Sequence, residues 1–169
     1  MAILCTLDLM FKMMKLKTVL IVISLILFLS GCKNGGDGFL KSYKSDYNAT
    51  KTAKLITKAL EPKNYHLLRV INYEKEAREI DFYLRPTLTL EIDNPKITSK
   101  LLECNPTLTT DLPIRIGIYT KLDGSTYLVY TNPEYWSLKH NIKDKVCIEL
   151  INLIARDFDE AKDVIKQSK

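Results

Sequence analysis

His140, Asp111 and Lys96 are the residues whose types could carry acid–base chemistry in this chain. A histidine held by a carboxylate can take a proton near neutral pH, and a lysine can hold an anion or polarise a carbonyl. With Asn94, Tyr130 and Tyr135 they make a candidate ligand-binding set of Asn94, Lys96, Asp111, Tyr130, Tyr135 and His140. His140, Asp111 and Lys96 lie on loops or element ends, where sites usually sit. No nucleophile elbow, phosphate-cradling glycine loop or metal-ligand pair accompanies them. Backbone chemistry also offers a plain account: Asp111 as a turn residue before Leu-Pro, His140 near the start of a helix, Lys96 in the solvated first turn of another. The set reads as binding rather than turnover, with no catalytic residue assigned and no cofactor.

Around it stand Tyr127, Tyr130, Tyr135 and Trp136, large apolar faces with polar tips that suit either a small-molecule site or packing. Tyr127 and Trp136 read as packing, Tyr130 and Tyr135 as the lip of a pocket. The chain has four cysteines. Cys104 and Cys147 form an even pair once Cys5, within residues 1–31, and Cys32 are set aside, which permits a disulfide in an oxidising compartment, while two buried free thiols remain the alternative. His66, Cys104, His140 and Cys147 lack the short paired spacings of zinc sites, so no metal is expected.

The N-terminal region gives an expectation of location. TVLIVISLILFL, residues 18–29, follows Lys12, Lys15 and Lys17 and precedes LSGC. The apolar stretch from Val19 to Leu29 is 11 residues long, short of the roughly 20 that a membrane-crossing helix needs. It reads as a signal peptide over residues 1–31, with 1–13 a possible upstream extension because Met14 makes the more ordinary start. LSGC resembles the lipobox of bacterial lipoproteins, which makes Cys32 the lipidated first residue of the mature chain. Two or more acyl chains hold a protein stably on a membrane. Lys33, where an aspartate would signal inner-membrane retention, leans towards the outer membrane, with the domain facing the periplasm. Residues 32–38, CKNGGDG, are then a flexible tether.

Without residues 1–31 the chain keeps 22 basic and 19 acidic side chains over 138 residues. That is the size of one domain, 39–169, with core enough to fold. The charges are interspersed and no basic stripe carries interleaved aromatics, so nucleic acid is not an expected partner. The modest positive balance suits a negatively charged lipid surface.

The elements that must position the set follow from periodicity. FLKSYKSDY alternates as a strand with Phe39, Tyr43 and Tyr47 on one face. Asn48 caps a helix with Ala49, Ala53, Ile56 and Leu60 as its stripe, ended by Pro62. YHLLRVI is a second strand, NYEKEAREIDFY is left open, and TLTLEI is a third strand with Leu88, Leu90 and Ile92 inward. Asp93 or Asn94 caps a short helix that begins with Pro95 and stops before Asn105 and Pro106. IRIGIY, the Asp-Gly turn in KLDGS and TYLVY form a hairpin. Cys147, Leu150, Ile151, Ile154, Phe158, Ala161 and Ile165 mark a long C-terminal helix lying across the sheet. The pattern predicts an α+β fold, a two-layer sandwich of a mostly antiparallel sheet with helices packed on one face.

NPKITSKLL, NPTLTTDLPIRIGIY and DGSTYLVYTNPEYWSLKHNI together resemble, in fixed order, blocks of the domain of unknown function 302 family. The resemblance is close over Leu90–Ile142 and runs in pattern from Tyr43 to the C-terminus. Members carry Asn-Pro-Lys before a Gly-Thr-Pro-Leu-Met-like run; Asn94, Pro95 and Lys96 match, whereas Thr98–Leu102 lack the glycine and proline. Asp111, Leu112 and Pro113 match an Asp-Leu-Pro, with Thr109 where a glycine often stands. Pro133, Tyr135 and His140 match a proline, an aromatic and a histidine. The resemblance implies a sheet with helices on one side and no particular activity. The expected function is a lipid-anchored envelope domain that binds a small ligand or an envelope protein. The alternatives are an envelope enzyme or redox accessory using His140/Asp111 or Cys104/Cys147, and a structural homo-oligomer.

Overall fold

The computed structural model describes residues 38–167. The signal peptide, Cys32 and the tether up to residue 37 lie outside the described residues. Among those described, no helix is long and apolar enough to cross a membrane.

Five strands form one antiparallel sheet: β1 (Leu40–Ser45), β2 (His66–Asn72), β3 (Thr87–Asp93), β4 (Ile114–Thr120) and β5 (Thr126–Thr131), in the order β1-β5-β4-β3-β2. Alternation decides the faces. Leu88, Leu90 and Ile92 on β3, Ile114, Ile116 and Ile118 on β4, and Leu128 and Tyr130 on β5 are all buried together. Register pairs Leu90 with Ile116 and Ile118 with Leu128, so one face is continuously apolar. On the other face Tyr119 stacks on Tyr127, ring centroids 5.7 Å apart.

Two helices cover the apolar face. The helix α1 (Ala49–Leu60) starts where Asn48 accepts a hydrogen bond from the Lys51 N–H, and buries Ala49, Ala53, Ile56 and Leu60. The strand before it is shorter than alternation suggests: β1 stops at Ser45, whose buried hydroxyl lies 2.7 Å from Thr52 Oγ1, so Tyr47 belongs to the turn into α1. The segment left open contains α2 (Tyr73–Glu79), capped by Asn72. Asn94, not Asp93, caps α3 (Pro95–Cys104), which ends before Asn105 and Pro106. Three pieces were not foreseen: a 3-10 turn at Glu61–Lys63 that contains Pro62, another at Pro106–Thr110, and the short helix α4 (Tyr135–Lys139). The long helix α5 (Lys145–Ala161) begins at its cap Asp144 and buries Cys147, Ile151, Ile154 and Phe158. It ends in a 3-10 turn, Lys162–Ile165. Phe158 meets Tyr65 and Tyr130 edge-on, which seats α5 over the same face. The fold is therefore α+β, a sheet with helices, including a long C-terminal one.

The Sγ atoms of Cys104 and Cys147 stand 1.94 Å apart and their Cα atoms 6.3 Å apart, joining the end of α3 to the first turn of α5. Such a crosslink between positions 43 residues apart is worth about 4 kcal/mol on the chain-entropy account. Urea unfolding of the oxidised protein should show a clearly higher midpoint than in reductant. Equal midpoints, with both thiols open to alkylation, would show that the two are not joined in the native protein.

Candidate functional site

Two loops meet at His140. In the first, Asn105 stops α3 and then uses its side-chain oxygen to accept from the Thr107 N–H at 2.9 Å, winding the 3-10 turn that delivers Asp111. The Leu112–Pro113 bond is cis and leads into β4. In the second, β5 runs through Pro133 into α4, and His140 closes that helix with its N–H donated to the Trp136 carbonyl. His140 thus caps a helix C-terminus rather than standing near the start of the next helix, which begins at Lys145. Asn141 turns the chain away with φ of 50°. Asn105 Nδ2 donates to the His140 carbonyl at 2.7 Å, which ties the two loops through the backbone.

The imidazole ties them again. His140 is buried, with Nε2 2.6 Å from Asp111 Oδ2 and Nδ1 2.7 Å from Thr107 Oγ1. Lys139 Nζ lies 2.9 and 2.8 Å from the two oxygens of Asp111. Burial pushes the Asp111 carboxyl up, but the donors from Lys139 and His140 outweigh it and hold the group below its ordinary value. An ionised carboxylate only accepts, so Nε2 carries a hydrogen. A neutral ring then accepts the Thr107 hydroxyl at Nδ1. A charged ring donates to that hydroxyl, which in turn donates to Asn105 Oδ1 at 2.8 Å. Either arrangement leaves every polar atom partnered.

The order Thr107–His140–Asp111 is that of a hydroxyl activated by an imidazole and oriented by a carboxylate. Acyl transfer also needs N–H donors aimed at the developing oxyanion. Here the Thr107 N–H is donated to Asn105 Oδ1 and the Leu108 N–H to the Asn105 carbonyl. What the arrangement does well is hold two loops.

Beside the clamp lies a hollow of about 80 Å³ lined by Thr110, Asp111, Ile114, Arg115, Thr131 and Trp136. Trp136 is the chain's one tryptophan, 2 % exposed, and its indole N–H is buried without an acceptor. Arg115 is largely exposed, and only its Nε engages a carboxylate, that of Glu91 at 3.4 Å. Trp136 and Arg115 both border the hollow, the one with a buried neutral donor and the other with a charged one.

The structure brings Asp111 and His140 together and separates the rest of the candidate set. Asn94 is buried and spent on structure, its oxygen capping Ile97 N at 3.4 Å and its amide donating to the Lys63 carbonyl at 3.1 Å. With Lys96 it borders a different hollow, beside Lys63 and Asp157. Tyr130 is 4 % exposed and its ring meets Phe158, yet it also borders a third hollow, with Lys41, Asn132 and Asp159; burial first of all, then Tyr43, pushes its hydroxyl far up. Tyr135 packs on Phe39 with centroids 4.3 Å apart. Trp136, which reads as packing in the sequence, is both buried and a wall of the hollow. Sequence reasoning missed Asn105, Thr107, Lys139 and Arg115. Only Asn105 had a signal, as a helix stop with a side chain free to make an Asx turn. It also missed the buried Asp157, which accepts from Lys63 Nζ at 2.7 Å and from the Tyr65 hydroxyl at 3.0 Å. Among the described residues no group of three or more His, Cys, Asp or Glu could hold a metal ion.

Fold and site define a small α+β domain with a one-sided antiparallel sheet and a histidine clamp at the end of its central hairpin. The chain belongs to the DUF302 family, "Domain of unknown function DUF302", whose model matches residues 41–161. A solved relative is an uncharacterised conserved DUF302 protein from Bacillus stearothermophilus, similar in fold with a TM-score of 0.68 and 18% identity over 76% of this chain and 98% of that one. No curated protein matches the sequence.

The clamp makes a pH prediction. Because the folded Asp111 titrates below its ordinary value of 3.8, the stability it contributes is complete above that value and is lost as pH falls through the folded one. Asp111→Asn should cost about 1–3 kcal/mol at neutral pH and flatten the stability profile below pH ~4. Parallel acid profiles of the two proteins, measured by urea unfolding, would show that Asp111 is not held this way.

Proposed function

We propose that the protein is a lipid-anchored cell-envelope domain that binds the anionic group of a small ligand in the hollow beside Asp111, without turning it over. The observation that carries this reading is Trp136, which borders that hollow and whose buried indole N–H meets no acceptor among the described residues. A buried donor left unmade costs about 1–3 kcal/mol. A ligand carboxylate that shifts the wall of the hollow and accepts from it recovers that cost, and the Arg115 guanidinium beside the hollow supplies the matching charge and a planar fork of donors. Asp111 does not repel such a ligand strongly, because Lys139 and His140 face its oxygens. The volume suits a small group: about 80 Å³ is room for roughly two or three waters at the liquid's share of about 30 Å³ each. Binding without turnover is supported by the clamp, whose neighbouring N–H groups are engaged within the loop and so are not aimed at a developing oxyanion.

Tryptophan emission tests it directly, since Trp136 is the sole reporter. Titration with acetate and succinate should shift the emission saturably, whereas methylammonium should not. Arg115→Ala should weaken carboxylate binding about tenfold or more, the scale of a lost charge-assisted hydrogen bond. Emission that ignores carboxylates up to high concentration sinks the ligand reading.

The anchor rests on the signal-peptide pattern and on Cys32 in LSGC. Labelled palmitate fed to cells should enter the wild-type protein and not Cys32→Ser, which should leave the membrane fraction. A Cys32→Ser protein that sediments with membranes as before would remove the lipid anchor from the account.

A further inference from the structure

Two helices do not cover the whole sheet, and the exposed part is β2. This strand forms one edge and pairs only with β3, so among the described residues its outer backbone N–H and C=O groups face no strand. Leu67, Leu68 and Val70 on it are 40%, 59% and 48% exposed. Register sets Leu67 opposite Ile92 and Val70 opposite Leu90, which points both towards the helix-covered face, next to α1. Between them and α1 runs a groove of about 370 Å³ with Leu90, fully buried, in its wall.

The far wall is basic. The helix α1 carries Lys51, Lys54 and Lys58 and no acidic residue. Spacings of three and four put these lysines along one stripe. Lys54 and Lys58 border the groove and, among the described residues, make no ion pair; Glu61, just past the helix, is the acidic group at the rim.

We propose that this edge takes an extended segment of a partner protein as a sixth strand beside β2, with an apolar side chain in the groove and acidic side chains against Lys54 and Lys58. A free strand edge gives main-chain hydrogen bonds without regard to sequence, and the groove beside it selects alternate side chains. Unpaired lysines on the wall select the charge. Charge also decides between occupants. A second copy paired through β2 about a two-fold axis would bring one α1 against the other, lysine stripe facing lysine stripe. A bilayer surface would not reach Leu90 at the bottom of a concave groove. The register shift between Leu67 and Arg69 works against indiscriminate edge pairing in addition, since bulges on edge strands hinder it.

The test uses the purified full chain and two fluorescein-labelled extended peptides, each alternating valine and threonine, one flanked by glutamates and the other by lysines. In anisotropy titrations the glutamate peptide should bind roughly tenfold tighter or better. Amides along β2 should exchange more slowly in its presence. Lys54→Glu with Lys58→Glu should reverse the preference, and Val70→Asp should abolish binding of both. Equal affinity for the two peptides, or binding untouched by Val70→Asp, overturns the proposal. So does a dimer in sizing chromatography that Val70→Asp converts to monomer, because a second copy would then own the edge.

Discussion

A sheet that is apolar on one face must have that face covered, and the width of the cover decides what is left over. Five strands at about 4.8 Å each span roughly 24 Å. Two helices side by side, each about 10 Å across, cover roughly 20 Å. The deficit is about one strand, and it falls on β2, at the end away from β1. Leu88, Leu90, Ile114, Ile116 and Leu128 are buried, while Leu67 and Val70 stand exposed. One geometric shortfall thus produces both a well-closed core and an apolar edge.

At the open end of the central hairpin the connections, not the strands, hold the polar chemistry. Buried imidazole nitrogens need partners, and those of His140 find them in Thr107 and Asp111, on the far side of the central hairpin in sequence. The Cys104–Cys147 crosslink fastens the chain just before the first of these loops to the helix just after the second. The result is a rigid corner in which polar groups satisfy one another, next to a hollow bordered by Trp136, whose buried N–H is not satisfied among the described residues. Rigidity and an unmet donor are complementary properties, since a binding group is worth most where its surroundings are already organised.

The elements were legible wherever local chemistry alone places them. Asn48, Asn94 with Pro95, and Asp-Gly at residues 123–124 are capping and turn signals that need no tertiary partner. Alternation in TLTLEI, IRIGIY and TYLVY gave three strands and their faces. The 3-10 turns and α4 were not legible, being too short for a period to show. Of the candidate set, Asp111 and His140 were found because histidine and carboxylate are chemically conspicuous. Thr107 and Asn105 were not, because a threonine or an asparagine becomes part of a site only through its neighbours.

By itself the sequence determined the α+β class, the hairpin, the inward face of each central strand and a resemblance to one family, all properties that repeat every two or four residues or sit within a single turn. Only the tertiary structure decided which of six candidate residues share a place. Asn94 and Lys96 went to one hollow, Tyr130 to the rim of the core beside another, and Asp111 with His140 to the clamp. The physical reason is that periodicity sets which way a side chain faces, whereas the neighbours it meets depend on how helices settle across strands. That settlement is a packing problem of the whole core, and no window of sequence contains it.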